Sequence, residues 1–508
     1  MFKKILIANR AEIAVRIIRA CRELGIKTAA VYSEADKESL HLKLADEIHY
    51  IGPAQPAQSY LNINKIIQIA KKSKSQAIHP GYGFLAQIPA FAQACEKNHI
   101  KFIGPSSEVL RKMGDKVVAR KTMAKAKLPI IPGTIDTVKN INEAKEAAEK
   151  LGYPIIIKAV YGGGGRGMRV VESKRNIAKA FELARIEAET SFGSGEVYIE
   201  KQLQNPRHIE FQILADEKAH IIHLGERECS IQRKHQKLIE ESPSPMMTDK
   251  LRKTMGDAAI RAAKTVDYTN AGTIEFLVGK DHRFHFLEMN TRLQVEHLIT
   301  EMVTRIDLVK EQIRIAAGEP LHYRQRDITL KGHAINCRIN AEDPDKDFAP
   351  CPGTVTGYRT PGGPGVRVDS ALYSGYTIPV IYDSLIAKLA AWGRNREEAI
   401  LRMKNALQEY QINGVETTIP LHRGILKDEN FMRGRIHTGF LQNRIRSLVS
   451  TKEIRDEDVA ALIVAMTLAT RRSTAAIAVI PRRKTSARTR WRTLEKRSYG
   501  SEAFKWGG

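Results

Sequence analysis

Apolar and polar positions change period along the first hundred residues. Ile5-Leu-Ile-Ala8 is a short continuous apolar run of the buried-strand type. Ile13, Ile17, Ala20, Cys21 and Leu24 then recur at helical spacing with charges between them. Gly25 ends that helix, and Thr28-Ala-Ala-Val-Tyr32 begins the next strand. Strand, helix and strand in that order predict a βαβ unit with a parallel sheet, and the pattern continues through Ala77-Ile78-His79 and Phe102-Ile103-Gly104. The character changes near residue 114, where a lysine-rich helix precedes Pro129, Pro132 and Gly133. A strand from Pro154 runs into a glycine loop, and the segments after it read as mostly strand up to Val295. A third block starts near Gly332, contains turns at Pro350-Cys-Pro-Gly353 and Pro361-Gly-Gly-Pro-Gly365 and a helix over Arg396–Glu409, and closes near Arg446. An apolar helix over roughly 456–470 and a basic tail follow. The chain is predicted to be α/β.

A length of 508 residues, 43% of them apolar and 27% charged, suits a globular protein of two to four domains. The net charge of +24, from 81 Lys and Arg against 57 Asp and Glu, raises nucleic acid or membrane as partners. Its placement argues otherwise. Residues 471–508 carry 11 Lys and Arg against Glu495 and Glu502, so +9 of the surplus is tail, and with 6% aromatics no base-stacking platform is evident. Five cysteines without CxxC spacing argue for a reducing compartment rather than a disulfide framework. No signal-type start is present, and the longest apolar stretch, Val459 to Ala469, is short of the ~20 residues that span a bilayer. A cytoplasmic protein is expected.

The chemistry concentrates in a few stretches. Ile155-Ile-Ile-Lys158 leads into Gly162-Gly-Gly-Gly165-Arg-Gly167, a lysine at a strand end followed by glycines whose backbone N–H groups can converge on phosphates. It is not a P-loop, and Ala8-Asn-Arg-Ala11 lacks the glycines of a dinucleotide fingerprint, so nicotinamide or flavin chemistry has no support. In Glu288-Met-Asn290-Thr-Arg292-Leu-Gln294-Val-Glu296, strand periodicity would send Glu288, Asn290, Arg292, Gln294 and Glu296 to one face. The preceding strand, Thr273–Val278, would return through Gly279-Lys-Asp-His282 and set Glu275 opposite Phe286 and diagonal to Glu288. Two carboxylates and the Asn290 carbonyl are hard oxygen ligands of the kind Mg²⁺ takes beside nucleotide phosphates. Three further polar clusters, at 200–212, 226–237 and 333–343, each read singly as a solvated basic face, and Cys229 as structural. Residue chemistry alone thus predicts an ATP- and Mg²⁺-dependent enzyme with an anion-handling pocket.

From Lys3 to about Phe440 the chain resembles the biotin carboxylases, the ATP-grasp component of biotin-dependent carboxylases. The resemblance runs through Ile5-Leu-Ile-Ala-Asn-Arg10, His79-Pro-Gly-Tyr-Gly-Phe84, Met113-Gly-Asp-Lys116, the glycine loop, His223-Leu-Gly-Glu-Arg227, Gln232–Lys237, Glu288–His297, Arg338-Ile-Asn-Ala-Glu-Asp343 and Tyr382-Asp-Ser-Leu-Ile-Ala-Lys388. It implies a Rossmann-like N-terminal domain over 1–114, an ATP-grasp domain over 115–330 with a mobile lid at about 132–203, a biotin-carboxylase C-terminal domain over 331–446, and an extension over 447–508. It also implies that carboxyphosphate is made from ATP and bicarbonate and its carboxyl group passed to N1′ of biotin. Lys116, Lys158, Gly164 and Gly165 would hold phosphates; Glu200, Lys201 and Leu203 would line the adenine pocket; His208, Gln232 and His235 would surround the ribose and phosphates. Glu275, Glu288 and Asn290 would hold Mg²⁺ or Mn²⁺. Lys237, Arg292, Gln294 and the Val295 backbone would bind bicarbonate, Glu296 would be its base, and Arg338 would stabilise the enolate-like ureido oxygen of biotin.

No Ala-Met-Lys-Met hairpin occurs, so biotin is expected on a separate carrier protein, with a carboxyltransferase on another chain and a homodimer of this one. The acceptor would be acetyl-CoA or propionyl-CoA, with pyruvate as the alternative. The competing readings are a different ATP-grasp ligase and a catalytically weakened assembly subunit. The sequence also departs from the family pattern, which usually has Gly where Ala11 and Arg305 stand and Ser-Glu-Asn where Ala86-Gln87-Ile88 stands. It has Pro at the Leu298 position, Glu at the Asn336 position and Ser at the Cys351 position.

Overall fold

Five short strands, β1 (Lys4–Ile7), β2 (Lys27–Ser33), β3 (Glu47–Gly52), β4 (Ala77–His79) and β5 (Lys101–Phe102), form a wholly parallel sheet in the order β3-β2-β1-β4-β5. The computed structural model describes residues 1–161, 167–442, 444–449 and 463–467. Ile5, Leu6 and Ile7 are fully buried, as strands covered by helices on both faces require. The first helix, Ala11–Glu23, follows the expected apolar spacing and lays Ile13, Ile17 and Cys21 on that sheet. Because β2 and β4 flank β1 on opposite sides, the strand order reverses there, and the crevice at the carboxyl ends of β1 and β4 is the topological switch point of a doubly wound sheet.

A second, small sheet consists of β6 (Ile155–Ala159), β7 (Met168–Val171) and β8 (Val197–Lys201), antiparallel in the order β7-β6-β8. Helices Ile141–Leu151 and Ile177–Phe192 back it, and Ala144, Ile157, Phe181 and Ile199 make a core of their own. This is the segment expected as a lid. Residues 162–166, and with them Gly164 and Gly165, lie outside the described residues.

The largest sheet has eight strands. Its named members are β9 (Arg207–Ala215), β10 (Ile221–Arg233), β11 (Gln236–Ser242), β12 (Asn270–Val278), β13 (Phe284–Asn290) and β14 (His333–Asn340), continued by the strands Leu385–Gly393 and Val366–Ser370. The order is β13-β12-β9-β10-β11-β14 and then those two, antiparallel throughout. The β11–β14 pairing carries the sheet across residue 330 without a break, so the middle and last blocks share one sheet. The stretch expected to be mostly strand also holds a 17-residue helix, Asp249–Thr265. Thr248 caps it, and Met255, Ala258, Ala259 and Ala262 meet the sheet at helical spacing, a period hidden by small residues.

The strand predicted through Glu296 ends at Asn290, and helix His297–Thr304 begins seven residues later. The helix over Arg396–Glu409 forms as expected. All five cysteines are free thiols. By backbone contacts the chain divides at residue 451. Of the second unit, Lys452–Gly508, only 463–467 is described, as helix; the rest of the expected 456–470 helix and the basic tail lie outside the described residues. Among the described residues no helix is long and apolar enough to cross a membrane.

Candidate active site

Strand alternation builds the floor of the site. On β9, His208, Glu210 and Gln212 point to one face while Ile209, Phe211 and Ile213 enter the core on the other. Direct cross-strand pairing then sets Arg227 of β10 against Glu210, Glu210 against Glu275 of β12, and Glu275 against Glu288 of β13. An irregularity between Glu275 and Phe276 shifts the β12–β13 register by one. Glu275 therefore faces Glu288 rather than Leu287, and so lies two residues from the expected pairing opposite Phe286: the turn register accounts for one residue and the irregularity for the other. The polar clusters of β9 and β10, expected to be solvated, are buried instead: Glu210, Gln212, Glu226 and Arg227 are each 0% exposed.

Beyond Asn290 the chain is irregular, yet its polar side chains converge as strand spacing predicted. Gln294 Nε2 donates to Glu275 Oε1 at 2.8 Å and to Glu210 at 3.2 Å, and Asn290 Nδ2 donates to Glu275 at 2.8 Å. Lys237 Nζ lies 2.6 Å from Glu210, 2.9 Å from Glu275 and 2.7 Å from Glu296, so all three of its donors meet carboxylates. Burial opposes the charge on Lys237, but those carboxylates outweigh it and hold the amine well above its ordinary value. Glu296 in turn accepts from Arg338 at 2.9 Å. Burial raises the Glu296 carboxyl, while Lys237 and Arg338 together bring it down to about 2. Arg338 also donates to Glu240 at 2.6 Å, whose other oxygen accepts from Asn336 at 2.7 Å. Arg292 differs from both cations: it donates to Gln87 Oε1 at 2.8 Å, the Leu293 carbonyl at 3.0 Å and Asn290 Oδ1 at 3.2 Å, all uncharged. Burial pulls its pKa down.

His208 joins the floor through Glu275 (2.8 Å) and Gln232 (2.6 Å). Burial drives Cys229 well above the ordinary thiol range, which keeps it protonated and fits the structural role expected of it. Burial likewise lowers the Lys116 amine, with Glu288 acting against it. Lys158 is paired with Glu200, which also pairs with Arg120. Glu200 is therefore the buried counter-ion of two cations, and the Lys201 amine donates to the Gly152 and Tyr153 carbonyls at 2.8 and 3.0 Å. Of the residues expected around adenine, only Leu203 keeps a side chain without such an engagement. His235 sits exposed on the β10–β11 turn, and Val295 is half-buried.

Oxygen donors suit a hard divalent cation here. Glu275 and Glu288 face one another, and the half-buried Glu288 carboxylate makes no hydrogen bond to a described residue, so its lone pairs are available. Ligand atoms of His208, Glu210 and Glu275 also lie within 4.8 Å of one another. Sequence reasoning passed over Arg227, Glu210, Glu240, Arg120 and Gln87. The His-x-Glu-x-Gln alternation of β9 could have shown Glu210; the other four meet their partners only through tertiary pairing.

Such a floor of carboxylates and cations on an antiparallel sheet, with a small three-stranded α/β unit that carries Lys158 at a strand end, defines an enzyme of the ATP-grasp type. Comparison with known proteins narrows the class. Residues 1–110 match the family described as biotin carboxylase, N-terminal domain, residues 115–324 the carbamoyl-phosphate synthase L chain, ATP binding domain, and residues 336–443 the biotin carboxylase C-terminal domain. The chain is 56% identical over 459 residues to a pyruvate carboxylase subunit of Methanothermobacter thermautotrophicus, covering 90% of this chain and 93% of that protein. To biotin carboxylase 1 of Bacillus subtilis it is 54% identical over 443 residues, 87% and 98% of the two chains. Its structure matches that of the biotin carboxylase domain dimer of Hydrogenobacter thermophilus 2-oxoglutarate carboxylase, solved with MgADP, ADP and bicarbonate. There the TM-score is 0.86 at 48% identity, covering 88% of this chain and 99% of the other. The chain belongs to the biotin carboxylases, ATP-grasp ligases.

Proposed function

We propose that this chain carboxylates biotin carried on a separate protein, using ATP and bicarbonate and releasing ADP and phosphate. The observation that carries this reading is the Lys237–Glu296–Arg338 chain, which ties an ionised carboxylate to two cations beside the Glu275–Glu288 pair. Glu275, Glu288 and Asn290 would hold Mg²⁺ or Mn²⁺, which when bound neutralises charge on the transferring phosphate. Lys116 and Lys158, with Gly164 and Gly165, would hold phosphate oxygens, and Leu203 and the backbone around Glu200 and Lys201 would meet the adenine. His208, Gln232 and His235 would meet the ribose and phosphates.

Bicarbonate would sit among Lys237, Arg292, Gln294 and the Val295 N–H. As the anion draws Lys237 toward itself, Glu296 loses part of the cationic field that holds it near 2 and becomes a better base. It then takes the bicarbonate proton as the bicarbonate oxygen attacks the γ-phosphorus and ADP leaves. Positioning and charge neutralisation supply the rate. Carboxyphosphate breaks down to CO₂ and phosphate, the phosphate accepts the biotin N1′ proton, Arg338 places its charge where the ureido oxygen gains negative charge, and N1′ then attacks CO₂ to form the N–C bond of carboxybiotin. The lid at about 132–203 would shield the intermediate from water.

Residues 1–114, 115–330 and 331–446 serve as working domain boundaries, and a homodimer is the working assembly, as the Hydrogenobacter domain is described as a dimer. A carrier and a carboxyltransferase complete the system; acetyl-CoA, propionyl-CoA and pyruvate are its candidate acceptors, the last favoured by the likeness to a pyruvate carboxylase subunit. The test is ADP release dependent on both bicarbonate and biotin in Mg²⁺-supplied folded protein; ATP hydrolysis indifferent to both would overturn the proposal. Co-purified partner proteins offered each acceptor in turn would assign the second half-reaction.

A further inference from the structure

The three cations of the pocket are held in different ways. Lys237 touches three carboxylates and Arg338 two. Among the described residues Arg292 has no carboxylate within ion-pair distance, and its planar fork is fixed by three uncharged oxygens. One of these, Gln87 Oε1, comes from a part of the chain 205 residues away. The Gln87 amide has one reading only: arginine offers donors alone, so the oxygen must face Arg292, and Nε2 then points to Thr291 Oγ1 at 3.4 Å.

The loop that carries Gln87 leaves the end of β4 at the switch point of the parallel sheet. Asn9 Nδ2, at the end of β1, donates to the Pro80 and Tyr82 carbonyls at 2.7 and 2.8 Å, Leu85 is buried, and Phe84 stacks on Tyr60 with ring centroids 4.8 Å apart. The amide is therefore presented from a supported element, which is what orienting a guanidinium to a fraction of an ångström needs. The family pattern has Glu at this position, where a carboxylate would make a charge-assisted pair with the guanidinium and compete with bicarbonate for it; this chain has Gln. A neutral amide gives the same direction and leaves the charge.

We propose that Gln87 is a positioning residue that aims the Arg292 guanidinium while leaving it without a carboxylate in contact, so that the oxyanion of bicarbonate becomes its contact counter-ion. The parallel-sheet part of the chain thus sets the bicarbonate affinity of a site built on the antiparallel sheet. This rests on the bicarbonate role proposed above for Arg292.

Gln87→Glu keeps size and acceptor and adds the charge. It is expected to raise the KM for bicarbonate about tenfold with kcat within threefold and the KM for MgATP within twofold. Gln87→Met keeps length and removes the acceptor; it should lower kcat as well, because the fork loses its aim, and Gln87→Glu should recover that kcat. A purely structural role would move the thermal midpoint and both KM values together. A folded Gln87→Glu enzyme with bicarbonate KM within twofold of the parent overturns the proposal. If the parent shows no bicarbonate-dependent ADP release, the function proposed above is what fails. The positioning role is then read from the rise in thermal midpoint that bicarbonate gives parent and Gln87→Glu, equal rises overturning it and a smaller rise in the variant supporting it.

Discussion

Arg227 is fully buried, and each of its five N–H groups has an acceptor: Glu210, Gln212, Thr300, Thr273 and Gln294, at 2.5 to 3.2 Å. It ties the strand that carries Glu210 to the irregular segment that carries Gln294, and so places a residue proposed above for the bicarbonate site. Removing one member of a buried charge network leaves the others unpaired. Arg227→Met should destabilise the protein by about 3 kcal/mol, and no more because Lys237 still pairs with Glu210. Urea unfolding would show the loss, and ADP release by the folded fraction should fall at least tenfold. An unchanged urea midpoint would mean that the network contributes no net stability. Glu288, Asn290, Gln294 and Glu296 were legible in the sequence because they lie within nine residues at spacing two. Arg227 and Glu240 were not, since lysines and arginines around them disguise buried strands as basic surface.

At the scale of elements, the same period-two reading erred where backbone geometry is not encoded by polarity. The register shift between Glu275 and Phe276 and the end of β13 at Asn290 depend on local pairing, and the polar side chains converge across both irregularities. Two helix ends show a clearer sequence cause. Ile88 occupies the N-cap of helix Pro89–Lys97 with no side-chain hydrogen bond and 39% exposure, where the family pattern has Asn. Arg305 closes helix His297–Thr304 in the left-handed conformation, at φ 63°, where the family pattern has Gly. Ile88→Asn should add about 1 kcal/mol by satisfying a first-turn N–H, and Arg305→Gly about 1 kcal/mol by removing the Cβ penalty, less the entropy glycine restores to the unfolded chain. The double variant should raise the thermal midpoint by the sum of the two single shifts, since the sites share no partners; a midpoint at or below the parent would show that neither end is strained as described.

For the molecule as a whole, the buried ionisable groups set how folding depends on pH. Burial holds His41, His223 and His422 neutral down to about 4, and His79 and His297 to about 3. Each binds a proton near pH 6.5 once unfolded, so its contribution is complete above pH 6.5 and is lost as pH falls toward the folded value. Glu12 works the other way. Burial raises it to about 7 despite Lys388 at 3.0 Å, so its contribution is complete below about 4.5 and is lost as pH rises through 7. Burial also lowers His235, His285 and His437 and raises Glu228, Glu240 and Glu311; the histidines that take up a proton on unfolding outnumber the carboxyls that release one, and stability should climb with pH from 5 to 6.5. Glu12→Gln removes one opposing release, so its denaturant midpoint should climb more steeply than the parent's from pH 5 to 6.5, while the two curves run parallel below pH 4. An equal or shallower climb in the variant would show that Glu12 is ionised in the folded protein throughout, and that its pairing with Lys388 outweighs its burial.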